Sequence, residues 1–511
     1  MRDGALVLAA GLLVLWACTS APGVPATTET SAPPSATAVS STGTTLQARA
    51  GAAGIGDPYY PELGNGGYDV DHYTLDLQFD PAANQLEALV GIRANATQDL
   101  SSFNLDFAGP EVRLVTVDGR PAGHVQAGRE LVVRPPTAIR HRATFEVTAA
   151  YSGTPGTIPA VVADRRVGWF AEDDGAFVLS EPNGTAAWLP VNDHPLDKAT
   201  YTVRVTVPEG YRVASAGLLA EQTTEAGKVS YRWESSSPMA SYLIPLGIGP
   251  FEAEEEPGPA GLPIRNYFDP DADPAVRRLF DRQAEMIEVF SELFGTFPFE
   301  AYGGLVVDTE SRPVGIALET QTLSTFIAGQ GLTEDVVAHE LAHQWFGNSV
   351  SLKRWQDIWL NEGFATYAQW LWAEHTGSAA LASSVGRAYE AVSGRTFLDQ
   401  GLSPAEAVKA AAEDFPPPGE PPTDRLLNPA VYLRGALTLH ALRLSVGDET
   451  FFQILRTYAE RFRHGNAATG DFIALAEEVS GTSLEDMFSG WLHAQQVPTI
   501  LELGLEPLGG P

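Results

Sequence analysis

The chain has 511 residues, enough for two to four domains at roughly 100–200 residues each, and its 44% hydrophobic and 9% aromatic content excludes disorder over the whole length. With 64 acidic against 32 basic residues the formal net charge is −32, which argues against a nucleic-acid binder and against electrostatic docking on anionic lipid. The single cysteine excludes a disulfide scaffold and a cysteine-only zinc or iron–sulfur site, leaving His, Asp and Glu to hold any metal.

Ala5 to Ala17 form one apolar run behind Arg2. A membrane span needs about 20 residues, so this run has the length of a signal-peptide core instead. The lone cysteine, Cys18, stands directly after it in Leu15-Trp16-Ala17-Cys18, which resembles a bacterial lipobox whose cysteine becomes the lipidated first residue. Trp16 departs from the small residue usual there. The other reading is an ordinary cleaved signal ending at Thr19-Ser20-Ala21. Residues 1–18 are therefore expected to be a signal peptide with a lipobox-like cysteine. Residues 19–50 are almost entirely Ser, Thr, Ala, Pro and Gly, and 19–56 is expected to be a disordered linker. The expected location is extracytoplasmic, as a bacterial cell-surface lipoprotein or otherwise secreted, with the membrane reached only through the lipid anchor.

From about Tyr59 to Pro250 the pattern has period two. Tyr73, Leu75, Leu77 and Phe79 alternate with His72, Thr74, Asp76 and Gln78. Similar runs carry Phe103, Leu105 and Phe107, then Phe145 and Val147, then Val203 and Val205. Short strands without intervening helices predict an antiparallel, sandwich-like β domain over 57–253. The acidic run Glu254-Glu255-Glu256-Pro257-Gly258-Pro259 reads as a hinge. A mostly α domain is expected over 254–500, followed by a tail over 501–511. Its first helix is expected from the cap Asp273 and Pro274 through Leu279, Met286, Phe290 and Leu293 to Gly295.

The chemistry concentrates at His339-Glu340-Leu341-Ala342-His343. Thr333 is a candidate cap, Glu334 and Asp335 suit the first turn, and Gly347 ends the segment, so the pentapeptide lies on one helix. Residues four apart share a face, so both imidazoles can bind one metal ion, with Glu340 beside them. Two imidazoles leave a tetrahedral zinc short of a ligand. Glu362, in Trp359-Leu360-Asn361-Glu362-Gly363-Phe364-Ala365, is embedded among apolar residues on a second helix and needs a partner.

With these motifs the chain resembles the zinc aminopeptidases of the aminopeptidase N and leukotriene hydrolase type, the gluzincins, from about Tyr59 to Pro498. Phe297-Pro298-Phe299 with Tyr302, and Pro190-Val191-Asn192-Asp193-His194-Pro195 with Asp197-Lys198-Ala199, extend the match. The resemblance implies a thermolysin-like catalytic domain and one zinc ion held by His339, His343 and Glu362. It makes Glu340 the general base and Tyr432 the residue stabilising the tetrahedral intermediate; Arg434 stands where the family usually has Lys. The family's Gly-Ala-Met-Glu-Asn motif appears as Ile316-Ala317-Leu318-Glu319-Thr320, keeping the acid. Glu319 and Glu181 are thereby implied to bind the substrate ammonium, with Leu179 replacing a common glutamine. The expected activity is removal of N-terminal residues from peptides with a free N-terminus. The alternatives are an endopeptidase or other hydrolase on the same site, and an inactive surface peptide-binding protein. Larger relatives carry a further helical domain, and the chain is expected to be a short form without it.

Overall fold

The computed structural model describes residues 48–162, 165–309, 317–329 and 331–508. Cys18 and Ile316 lie outside the described residues. No helix among the described residues is long and apolar enough to cross a membrane.

The alternating runs form an eight-stranded sheet. Its order is Leu218–Glu225, Lys228–Ala240, Lys198–Pro208, Tyr68–Asp80, Gln85–Ala96, Thr144–Gly153, Glu111–Val117 and Arg120–Pro121. Tyr73, Leu75, Leu77 and Phe79 are buried, as the period requires. Within this sheet one pairing departs from the antiparallel expectation. Lys198–Pro208 runs parallel to Tyr68–Asp80, with Tyr201 opposite Tyr73 and the two rings stacked at 5.0 Å. A four-stranded and a five-stranded sheet complete the β domain.

The last residues of the expected 19–56 linker are ordered. Arg49–Ala50 pairs in parallel with Leu100–Asp106, and the amides of Arg49 and Gly51 donate to the carbonyls of Asp99 and Ser102. An open sheet edge captures the backbone whatever its side chains. The acidic run expected to be a hinge is also ordered. Glu252–Pro257 is the edge strand of a second five-stranded sheet, and Arg277 bridges Glu252 and Glu254, each at 2.8 Å. That five-stranded sheet continues through Pro263–Phe268, Tyr302–Val307 and Ser324–Ile327, mutually parallel, to the antiparallel edge Ala317–Leu318. The first helix is interrupted: Pro274–Arg277 and a 3-10 turn at Arg278–Phe280 precede Gln283–Phe294. The tail also packs, with Arg395 and Gln496 donating to the carbonyls of Glu506 and Leu508.

The Pro190–Lys198 segment is the seam between the two halves. His194 Nε2 donates to Asp57 Oδ2 at 3.0 Å, and the same oxygen accepts the Trp355 amide at 2.9 Å. The His194 Nδ1 atom accepts the Leu196 amide, which places the ring proton on Nε2. Lys198 Nζ donates to the carbonyls of Asn348 at 2.8 Å, Ser349 at 3.0 Å and Gly465 at 3.4 Å, so each ammonium proton has an acceptor.

Candidate active site

The helix Glu334–Ala342 starts as its residues dictate, with the Thr333 hydroxyl accepting the Val336 amide and Glu334 and Asp335 in the first turn. His343 is its last residue in helical conformation. Glu362 stands in the first turn of Trp359–Thr376, and Tyr432 in the first turn of Pro429–Val446, which Asn428 caps. These two helices meet at glycines. A Cβ on Gly363 would stand 2.9 Å from Gly435 Cα, and the reverse holds equally, so only glycine allows the backbones this close. That contact brings Glu362 and Tyr432 to the same cleft. Arg434, the departure from the family's Lys, is buried and donates to the carbonyls of Trp491 and Gly490, fixing the Tyr432 helix to the C-terminal helix Glu485–Leu492.

Glu362 Oε2 lies 3.3 Å from His339 Nε2 and 3.5 Å from His343 Nε2. Ligand atoms about 2.05 Å from a tetrahedral zinc stand ~3.3 Å apart, so the three residues fit one ion as they are. His343 is oriented from behind. The Phe346 carbonyl accepts from His343 Nδ1 at 3.0 Å, and Gln369 lines the cleft with His339. The motifs alone do not single out Gln369; it stands seven residues after Glu362, two turns along the same face, and that spacing is the signal for it.

Glu340, Glu319 and His343 bring ligand atoms within 4.8 Å of one another, so the base expected from the motif and the acid of the altered exopeptidase motif share one space. Burial raises the Glu340 carboxyl well above its ordinary range, opposed by His343. Glu181 is raised well above its range by burial and then by Glu319; its Oε1 is buried and has no hydrogen-bond partner among the described residues. Glu319 is raised by burial too, and accepts from the Tyr242 hydroxyl at 3.3 Å. Burial opposes the charge on His343, but Glu319 and Glu362 hold it up to about 10. Glu362 is the exception among the acids: burial would raise it, yet His343 and His339 keep it at about 2. Four buried carboxylates around two imidazoles make a strongly cation-seeking site. The cleft, of about 290 Å³, is lined by all of these residues and by Tyr432, whose ring lies 6.1 Å from that of His339. Every site residue expected within the described part therefore meets the others in one cavity.

Two histidines one helical turn apart, a glutamate from a second helix and a glutamate base define the zinc centre of an HExxH metallopeptidase. Residues 69–243 match the Peptidase M1 N-terminal domain and residues 283–491 the Peptidase family M1 domain, and the chain belongs to peptidase family M1. The crystal structure of an M1 zinc metallopeptidase from Deinococcus radiodurans is 33% identical, covers 90% of this chain and all of its own, and superposes with a TM-score of 0.78. A variant of that enzyme bound to a Tyr-Ser-Ala substrate is likewise 33% identical with a TM-score of 0.77, over 90% of this chain and all of its own. The probable aminopeptidase 1 of Saccharolobus solfataricus is 26% identical over 84% of this chain and 54% of its own length. Aminopeptidase N of Streptomyces lividans is 25% identical over 83% of this chain and 50% of its own. The chain spans about half the length of these curated relatives.

Proposed function

We propose that this protein is a zinc-dependent aminopeptidase acting on peptides with a free N-terminus. The observation that carries the reading is the pair of buried acids, Glu181 and Glu319, lining the same cleft as His339, His343 and Glu362. Carboxylates in a closed site stabilise a substrate ammonium through charge-assisted hydrogen bonds, and their position beside the metal residues sets the first peptide bond against the base.

His339, His343 and Glu362 would hold the zinc ion, which supplies Lewis acidity that polarises a carbonyl and brings the pKa of water toward neutrality. Glu340 takes the proton of the attacking water; its buried carboxylate is a stronger base than one in solution. It then gives that proton to the leaving amine. The Tyr432 hydroxyl donates to the carbonyl oxygen as negative charge develops there. Glu181 and Glu319 hold the substrate's first residue in register, so that only the first peptide bond reaches the base.

The test is a peptide offered free and N-acetylated to the wild type and to Glu319→Ala. Turnover should require the free amine, and the substitution should harm the free peptide far more than the blocked one. Equal rates on both peptides in the wild type would sink the aminopeptidase reading.

Export and lipid attachment at Cys18 belong to the same proposal, supported by the apolar run Ala5 to Ala17 directly before the chain's only cysteine. Cys18→Ala should move the protein from the membrane to the soluble fraction of cells that express it; an unchanged distribution would remove the anchor.

A further inference from the structure

We propose that Arg165 selects substrates by binding a carboxylate that they carry. The inference rests on the aminopeptidase reading above. Arg165 is exposed, and it is the one lysine or arginine among the described residues lining the cleft. Its guanidinium makes no hydrogen bond or ion pair with any described residue. The four carboxylates of the cleft already have tasks: Glu362 on the metal, Glu340 on the proton, Glu181 and Glu319 on the ammonium. Arg165 therefore faces the substrate as an uncommitted cation in a site otherwise built for cations.

Strand pairing places it. Arg166–Glu172 runs antiparallel to Gly175–Leu179, with Gly168 opposite Leu179. Arg165 precedes the first strand and Glu181 follows the second, so both leave the hairpin at the same end. Arg165 is thus on the same side of the cleft as Glu181, the side that the proposed function gives to the substrate's first residue. Arg165 and Leu427 also line an adjoining chamber of about 350 Å³, walled by Val162, Phe415, Leu426 and Pro429. Arg425 and Asp414 line it as well, and Arg425 spends one N–H on the Glu413 carbonyl at 3.1 Å. An apolar chamber with a free guanidinium at its threshold suits a side chain with a methylene stem and a terminal carboxylate. The same group could instead meet the C-terminal carboxylate of a very short peptide, and the substrates below separate the two sources.

The zinc-loaded wild type, Arg165→Gln and Arg165→Lys are assayed on Glu-Ala-Ala-amide, Gln-Ala-Ala-amide, Leu-Ala-Ala and Leu-Ala-Ala-amide. In Arg165→Gln the ratio of kcat/KM for the Glu peptide over the Gln peptide should fall about tenfold, the loss expected for one charge-assisted pair, and Arg165→Lys should recover most of it. A similar fall in the ratio of Leu-Ala-Ala over its amide would support the proposal with the C-terminus as the source. Both ratios within twofold of wild type would overturn it. A wild type that cleaves none of the four, while cleaving acetylated peptides, would instead remove the aminopeptidase reading on which the inference stands.

Discussion

The side-chain amide of Asn348 donates to the backbone carbonyl of Glu319 at 2.6 Å, and Gln344 donates to the same oxygen at 3.2 Å. The turn that follows the metal-binding helix therefore carries the strand end that holds Glu319, the acid proposed above to meet the substrate ammonium. Lys198, from the β domain, holds the Asn348 carbonyl in turn.

Asn348→Ala should loosen Glu319 without touching the metal residues. The carbonyl keeps the Gln344 donor, so the loss of one hydrogen bond should cost about 0.5–1.5 kcal/mol of stability. The kinetic signature should be a raised KM for free-amine peptides with a smaller change in kcat. Thermal unfolding and steady-state kinetics check it, and a fall in kcat alone would place the effect on the proton-transfer step instead.

Glu340→Gln preserves shape and removes the base. Zinc content should stay at one per chain while kcat drops at least a hundredfold, the usual size of a general-base contribution. Near-normal turnover in a metal-replete sample would take Glu340 out of the reaction.

Gln369→Ala should weaken zinc rather than abolish chemistry. Its side chain lines the cleft with His339, and loss of a polar neighbour that supports a zinc ligand typically costs 10–100-fold in metal affinity. Competition against a chelator measures it; activity should return at saturating zinc.

Asp57 predicts an acid limb. Burial would raise its carboxyl, but bonds from His194 and from the amides of Trp355, Tyr60 and Tyr59 hold it below the ordinary 3.8. With a lowered folded-state value, the unfolded chain binds more protons as pH falls. The contribution is therefore complete above the ordinary value and is lost as pH drops through the folded one. Asp57→Asn should have a lower Tm at neutral pH, and its Tm should fall less steeply than the wild type's between about pH 5 and about pH 3. Parallel Tm curves would show that Asp57 contributes no pH dependence.

What the sequence alone determines is mostly local or periodic. Two histidines four apart on a capped helix must share a face, and alternating residues such as Tyr73 to Phe79 must bury one side, because both follow from backbone geometry within a few residues. Glu362 is readable because an acid among Trp359, Leu360 and Phe364 has to find a partner. Tyr432, Glu319 and Glu181 follow only from the family resemblance, since nothing in their own neighbourhoods marks them.

Tertiary structure decides the rest, for reasons that no local pattern carries. The edge pairing of Arg49–Ala50 depends on an open strand some fifty residues away in the chain. The break before Gln283 places Arg282 between Glu285 and Glu334 of the metal-binding helix. Gln369 is on the right helical face, but only the packing of that helix brings it to the cleft that His339 lines. Arg165 is an ordinary surface arginine in the sequence. It reaches the cleft because hairpin pairing brings its end of one strand beside Glu181 at the end of the next, and pairing register is a property of the assembled sheet.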